Sequence, residues 1–227
     1  SDYLRNIAQE RRFILSAIEK YVERETGLRV TVDNVNGIIR FRGDDLFASA
    51  KWRVQSSSVA DRVALAIASA FNEVLPCYTV GTHSQFDEAC NSASAMIDAI
   101  QIEGHTDDDA VSTGLTDAEG ILDNLDLSAR RGAEMFRAIL RHGKGAMLDY
   151  LNIRGQPVLS FSGYGDMRPL EPHKNRGSDR LNRRIDIRFI LTTPAITDEV
   201  DMIKSSLLEG SPDISIWLPF GAFSHSV

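Results

Sequence analysis

Ile185, Ile187, Phe189 and Leu191 alternate with Asp186, Arg188 and Ile190. A period of two sustained over this length predicts a strand with one buried face, and such a strand needs a sheet to lie in. Its partners are legible upstream. Ile100 and Ile102 flank Gln101 and lead into Gly104-His105-Thr106-Asp107, and Leu159 and Phe161 precede Gly163-Tyr164-Gly165. Val30 and Val32 alternate with Thr31 and Asp33, and Asn36-Gly37 separates them from Ile39 and Phe41, which predicts a hairpin with a tight turn of positive φ angles. Helical periods lie between the strands. Val59, Val63, Ile67, Phe71 and Val74 share a face that Pro76 terminates, a second helix is expected from about Leu127 to His142 with Gly143 closing it, and a third runs past Pro194 to about Glu209. Strands separated by helices require crossovers, whereas the hairpin is antiparallel. The expected fold is therefore α+β, a mixed sheet with helices packed on one face, plus an N-terminal helix and a C-terminal helical tail.

That N-terminal helix is marked by Leu4, Ile7, Ile14, Ile18 and Val22 and ended by Gly27. Its narrow apolar stripe suits either a partner helix, and so a homodimer, or its own domain. Cys77 and Cys90 bracket a polar segment; they either pair or remain two free thiols, and pairing would contribute about 3 kcal/mol and fit an oxidising compartment. No CxxC or Cys/His spacing for zinc is present. No stretch approaches the roughly 18 to 20 apolar residues of a membrane span. The chain starts at Ser1, so an upstream anchor or signal is compatible with it. The net charge of −7 argues against coating nucleic acid, which needs a clustered basic surface.

Charge is nevertheless segregated. From Asp98 to Asp126 there are nine acidic side chains and no Lys or Arg, and from Arg168 to Arg188 seven basic residues face three acidic ones. A ligand bearing both charges could be held between the two segments; two solvated loops are the alternative. Arg130, Glu134, Arg137 and Arg141 form one polar helical face, while Arg131 lines up with Leu127, Met135 and Ala138 and should be partly buried. A buried arginine must find a carboxylate or carbonyl. In the first turn of its helix it also lies near backbone N–H groups that attract anions. It is either a carboxylate receptor or half of a structural salt bridge to Asp107 or another acid.

The run Ile102-Glu103-Gly104-His105-Thr106-Asp107, then Asn124 and Leu127-Ser128-Ala129-Arg130-Arg131, then Gly163-Tyr164-Gly165-Asp166 with Pro169, and finally Asn182-Arg183-Arg184-Ile185-Asp186-Ile187, resembles the OmpA-like C-terminal domain family, with four motifs in the same order. The match runs from about Val30 to Leu191 and is strong after Ile97. It implies non-catalytic binding of peptidoglycan in the periplasm through the diaminopimelate residue of the stem peptide, with no cofactor or metal. In that family the Asp of the Thr106-Asp107 motif takes the ligand ammonium and the arginine at the position of Arg131 takes its carboxylate. Asn124 carries over as a residue that hydrogen-bonds the ligand or orders the loop, and Arg184 or Arg183 as a contributor to the pocket rim. On this reading residues 1–27 are a membrane-proximal helix, 28–192 the peptidoglycan-binding domain with the cysteine loop 77–90, and 193–227 a C-terminal extension.

The helix, hairpin and domain together resemble the periplasmic part of MotB-type stator subunits, and the cysteine insert and tail are similar to ZorB of Zorya anti-phage defence systems. Those resemblances imply a homodimer, an inner-membrane helix before Ser1 and a MotA/ZorA-like channel partner. Two departures stand out. Sixteen residues separate Asp107 from Asn124, about twice the family's usual spacing, and Gly132 replaces the usual Ala. The insertion from Asp108 to Asp123 could gate the pocket or hold calcium, or be a solvated loop. The competing functions are an outer-membrane or lipoprotein-type envelope tether without a motor, and a metal-dependent cell-wall hydrolase built on His105 and Asp107. The hydrolase lacks a third ligand at a convincing spacing.

Overall fold

The computed structural model describes residues 2–48, 51–111, 119–172, 179–194 and 197–213. Helix α1 (Asp2–Thr26) precedes strands β1 (Thr31–Asp33) and β2 (Ile38–Arg42), the one-turn helix α2 (Gly43–Leu46) and helix α3 (Val59–Val74). Strand β3 (Ile97–His105), helix α4 (Asn124–His142), strands β4 (Leu159–Gly163) and β5 (Arg184–Leu191) and helix α5 (Thr197–Glu209) follow. The sheet order is β1-β2-β5-β3-β4. β3 and β4, joined through α4, are parallel, and every other neighbouring pair is antiparallel. This is the mixed sheet that the alternation of strands and helices predicts.

Pleating sorts the sheet into two faces. On one, Ile102 lies opposite Ile187 and Ile100 opposite Phe189, and these residues join Val63, Ile67 and Phe71 of α3 and Met135, Ala138 and Ile139 of α4 in a single core. Phe71 meets Phe189 edge-on with ring centroids 6.0 Å apart. The other face carries Arg40, Glu103, His105, Arg184, Asp186 and Arg188.

Helix α1 buries Ile7, Ile14, Ile18 and Val22 and packs on α3. All of its stripe but Leu4, which is exposed, is occupied within the protein, so those residues no longer argue for a partner helix. The hairpin forms, but its turn differs from expectation: residues 34–37 connect the strands, and Gly37 alone among them has a positive φ, 72°. Asp33 explains the wider turn, because its carboxylate accepts from the backbone N–H groups of Val35 and Asn36 and from the Asn36 side chain.

Cys77 and Cys90 form a disulfide. The loop is tied to α1 as well: Tyr78 donates its hydroxyl hydrogen to Glu10, 3.1 Å away, and Ser92 donates to the other oxygen of Glu10. Helix α5 is part of the folded body, where Ile203 and Leu207 make a second small core with Val80, Met96 and Ile153.

Candidate functional site

Glycine sets how closely α4 approaches the sheet. A Cβ on Gly104 would stand 2.0 Å from the Ser128 carbonyl oxygen, and one on Gly132 would stand 2.9 Å from that of Ser162. Both residues must lack a side chain for the first turns of α4 to lie against β3 and β4. An alanine at position 132 would already push the helix outward, so the requirement there is tighter than for a merely small residue.

Helix α4 starts at Asn124 rather than near Leu127, because Asp123 caps it by accepting from the N–H of Asp126 at 2.8 Å. Arg131 therefore lies in the second turn, not the first, and the helix N-terminus does not supply its neighbouring donors. Its burial is as expected, with 6% of the residue exposed. Nε donates to the Lys51 carbonyl at 2.9 Å, and the guanidinium lies 5.4 Å from the Phe47 ring centroid. Its terminal nitrogens have no hydrogen-bond partner among the described residues. Burial lowers its pKa to about 10, opposed by the charges of Asp107 and Asp44.

Asp107 follows the end of β3 and is 6% exposed. Its carboxylate is bonded to Arg183, not to Arg131, so the salt bridge that competed with the receptor reading is not formed. Asp44 on α2 holds the same guanidinium, accepting from Arg183 Nε at 3.0 Å and from Nη2 at 2.9 Å. The Arg183 contact keeps the Asp44 carboxyl below its ordinary range. Thr106 donates its backbone N–H to Gly165, while its buried hydroxyl has no partner among the described residues. Asn124 donates its side-chain amide to the carbonyls of Asp107 and Asp109, at 3.2 and 2.8 Å, and so orders the loop. Arg130 points to the polar side, onto Asp126 and the Gly120 carbonyl.

Arg184 is not at this site. It lies on the polar face of the sheet, donating to Asp186 at 3.0 Å and to the Arg168 carbonyl at 3.0 Å. Arg188 grips Glu103 through two bonds, and Arg40 grips Asp186. His105 is buried between the two carboxylates, with Nε2 3.4 Å from Glu103 and 3.7 Å from Asp186, and stacks on Tyr164. Burial lowers the His105 pKa. Burial would raise that of Glu103, but His105 and Arg188 together bring it down to about 2. Glu103, His105 and Asp186 converge as metal ligands could. Their carboxylate oxygens, however, already serve three guanidinium groups, which a cation would have to displace against like charge. His105 lies with Glu103 and Asp186, whereas the carboxylate of Asp107 is bonded to Arg183.

Sequence reasoning reached Asp107, Arg131 and Arg183 but missed Asp44, Phe47 and the Lys51 carbonyl. The Asp44–Arg183 contact spans 139 residues, and no local pattern announces it. Residues 112–118 of the acidic insertion, Asp117 among them, lie outside the described residues, so the gating and calcium readings of the insertion fall in part outside them.

The mixed sheet, with α4 crossing between parallel strands, has an OmpA-like fold of the MotB type. A protein described as MotB-like from Desulfovibrio vulgaris superposes with a TM-score of 0.54 at 22% identity, over 84% of this chain and 97% of that one. The structure of the cell wall anchor of the T6SS from Pseudomonas aeruginosa gives a TM-score of 0.49 at 19% identity, over 77% and 97%. At 22% identity the first of these likenesses establishes the fold alone. No protein-family model matches the chain, and no curated protein matches it in sequence.

Proposed function

We propose that this protein binds peptidoglycan without turnover, holding the free end of a diaminopimelate residue in the stem peptide and so anchoring a complex to the cell wall. The observation that carries this reading is Arg131: a cation 6% exposed, bonded through Nε to the Lys51 carbonyl, with no partner for its terminal nitrogens among the described residues and with the charge of Asp107 nearby. A buried guanidinium left in this state costs several kcal/mol, and an incoming carboxylate would relieve that cost. Asp107 offers the complementary charge, so a group bearing an ammonium and a carboxylate on one carbon matches both. Thr106 offers a hydroxyl that lacks a partner among the described residues. The periplasm is the compartment where such a ligand occurs, and the Cys77–Cys90 disulfide is compatible with it. Within this reading the chain serves as the wall-binding part of a MotB-type stator subunit, with a cysteine insert and tail similar to those of ZorB.

Retention on purified sacculi tests the reading. Wild type should co-sediment, and Asp107→Ala and Arg131→Ala, each shown to be folded by circular dichroism, should remain in the supernatant. Undiminished retention of either variant overturns the site.

A further inference from the structure

A cavity of about 380 Å³ opens beside the segment that follows α2, and Phe47, Lys51, Trp52, Arg53, Gln55 and Glu119 are among its lining residues. Two of these also hold Arg131. The Phe47 ring lies 5.4 Å from its guanidinium, and the Lys51 carbonyl accepts from its Nε at 2.9 Å. The cavity and the Arg131 cradle therefore share Phe47 and Lys51 and are neighbours. The shared segment is well mounted. Phe47 is buried, Trp52 carries the guanidinium groups of Arg53 and Arg130 over its ring at 4.5 and 5.3 Å, and the Val54 N–H donates to Glu134 of α4 at 3.3 Å. Arg130 in turn donates to the carbonyls of Glu119 and Gly120, which fixes the far side of the cavity to the same helix.

The polar groups of the cavity are unevenly matched. Glu119 lies 3.9 Å from Arg53, whereas the Lys51 ammonium and the Gln55 side-chain amide have no partner among the described residues. Two cations against one carboxylate leave the cavity positive in a chain of net charge −7, with an aromatic ring at its side. Such a lining suits an anionic group carried on an aliphatic stem. We propose that the cavity is a second subsite, which takes a further carboxylate of the same stem peptide with Lys51 as its charge partner and Gln55 as an amide donor. The peptide offers two such groups: the α-carboxylate of the D-glutamate that precedes diaminopimelate, and the main-chain carboxylate of diaminopimelate itself. Both are separated from the distal zwitterion by the diaminopimelate side chain, so a peptide seated at Arg131 and Asp107 brings them to a neighbouring site and not to the same one. Holding one peptide at two points makes the second contact intramolecular, and its contribution adds to the first.

This inference rests on the function proposed above, and its test separates the two. The probe is the soluble tripeptide of L-alanine, γ-linked D-glutamate and meso-diaminopimelate, its distal amine and carboxylate always free. It is used unmodified, amidated at the glutamate α-carboxylate, or amidated at the main-chain carboxylate of diaminopimelate. Each form is titrated calorimetrically into wild type and into Lys51→Gln, a change that removes an exposed charge and keeps the carbonyl that holds Arg131. Amidating the carboxylate that occupies the cavity should weaken binding to wild type about tenfold. Lys51→Gln should weaken binding of the unmodified peptide about threefold, the scale of an exposed ion pair, and leave binding of that amidated form unchanged. Which amide behaves in this way tells the glutamate carboxylate from that of diaminopimelate. The subsite is overturned if neither amide weakens binding, if Lys51→Gln binds the unmodified peptide as wild type does, or if its loss is the same for all three peptides. Failure of wild type to bind the unmodified peptide overturns the function on which the subsite rests.

Discussion

Arg131 and Glu103 are both buried ions, and they differ in what neutralises them. Arg131 has one carbonyl and a lowered pKa of about 10, whereas Glu103 has a two-bonded guanidinium and a pKa lowered to about 2. The first is costly to fold and the second stabilises. Replacing Arg131 with Met, which fills similar space without charge, should therefore raise stability by about 1–3 kcal/mol while abolishing retention on sacculi. Denaturant unfolding reads the first effect, and a less stable Arg131→Met would contradict the view that this cation awaits a ligand. For Glu103 the sign is opposite. A carboxyl whose pKa is depressed on folding stabilises fully above its unfolded value, near 4.5, and loses that contribution as the pH falls toward 2. Glu103→Gln should flatten the dependence of stability on pH across this acid window, and an unaltered slope would show that the Arg188 pair does not govern it. The choice of Arg131 over Arg130 was legible because helical period separates them. The choice of Arg183 over Arg184 was not, because it depends on which residue enters β5 first, and Arg184 is drawn to Asp186 across the strand's other face.

At the scale of elements, the site exists because α4 lies almost on the backbone of β3 and β4. Gly104 is the tightest point, facing the Ser128 carbonyl. Gly104→Ala should force α4 outward, destabilise the fold by about 1–3 kcal/mol and move Arg131 away from Asp107, with loss of sacculus retention. Urea unfolding together with sedimentation measures both effects, and a stable, fully retained variant would show that the close approach is dispensable. Strands and helices were readable from periodicity, since each has a buried face. Their ends were less so, for reasons visible in single side chains. Asp33 satisfies the hairpin turn and widens it, and Asp123 caps α4 and starts it at Asn124, which carries Arg131 from the first turn to the second. The N-terminal stripe illustrates another limit: a narrow apolar face does not say which helix will cover it, and α3 does so here.

The whole molecule ties its additions to the domain. Glu10 of α1 receives hydrogen bonds from Tyr78 and Ser92 in the cysteine segment, and α5 completes a core beneath it, so helix, disulfide loop and tail share one body with the sheet. Opposite charges brought together from distant segments make the site, with Asp44, Asp107, Arg131 and Arg183 meeting at one end of that sheet. On the proposed function, Arg131 is there for a carboxylate. A stem peptide carrying L-lysine presents the ammonium without that carboxylate, whereas one carrying meso-diaminopimelate presents both. Calorimetric titration of the wild-type protein with the two tripeptides is the most direct test. The diaminopimelate peptide should bind about tenfold or more tightly; equal affinities would contradict a carboxylate-binding role for Arg131.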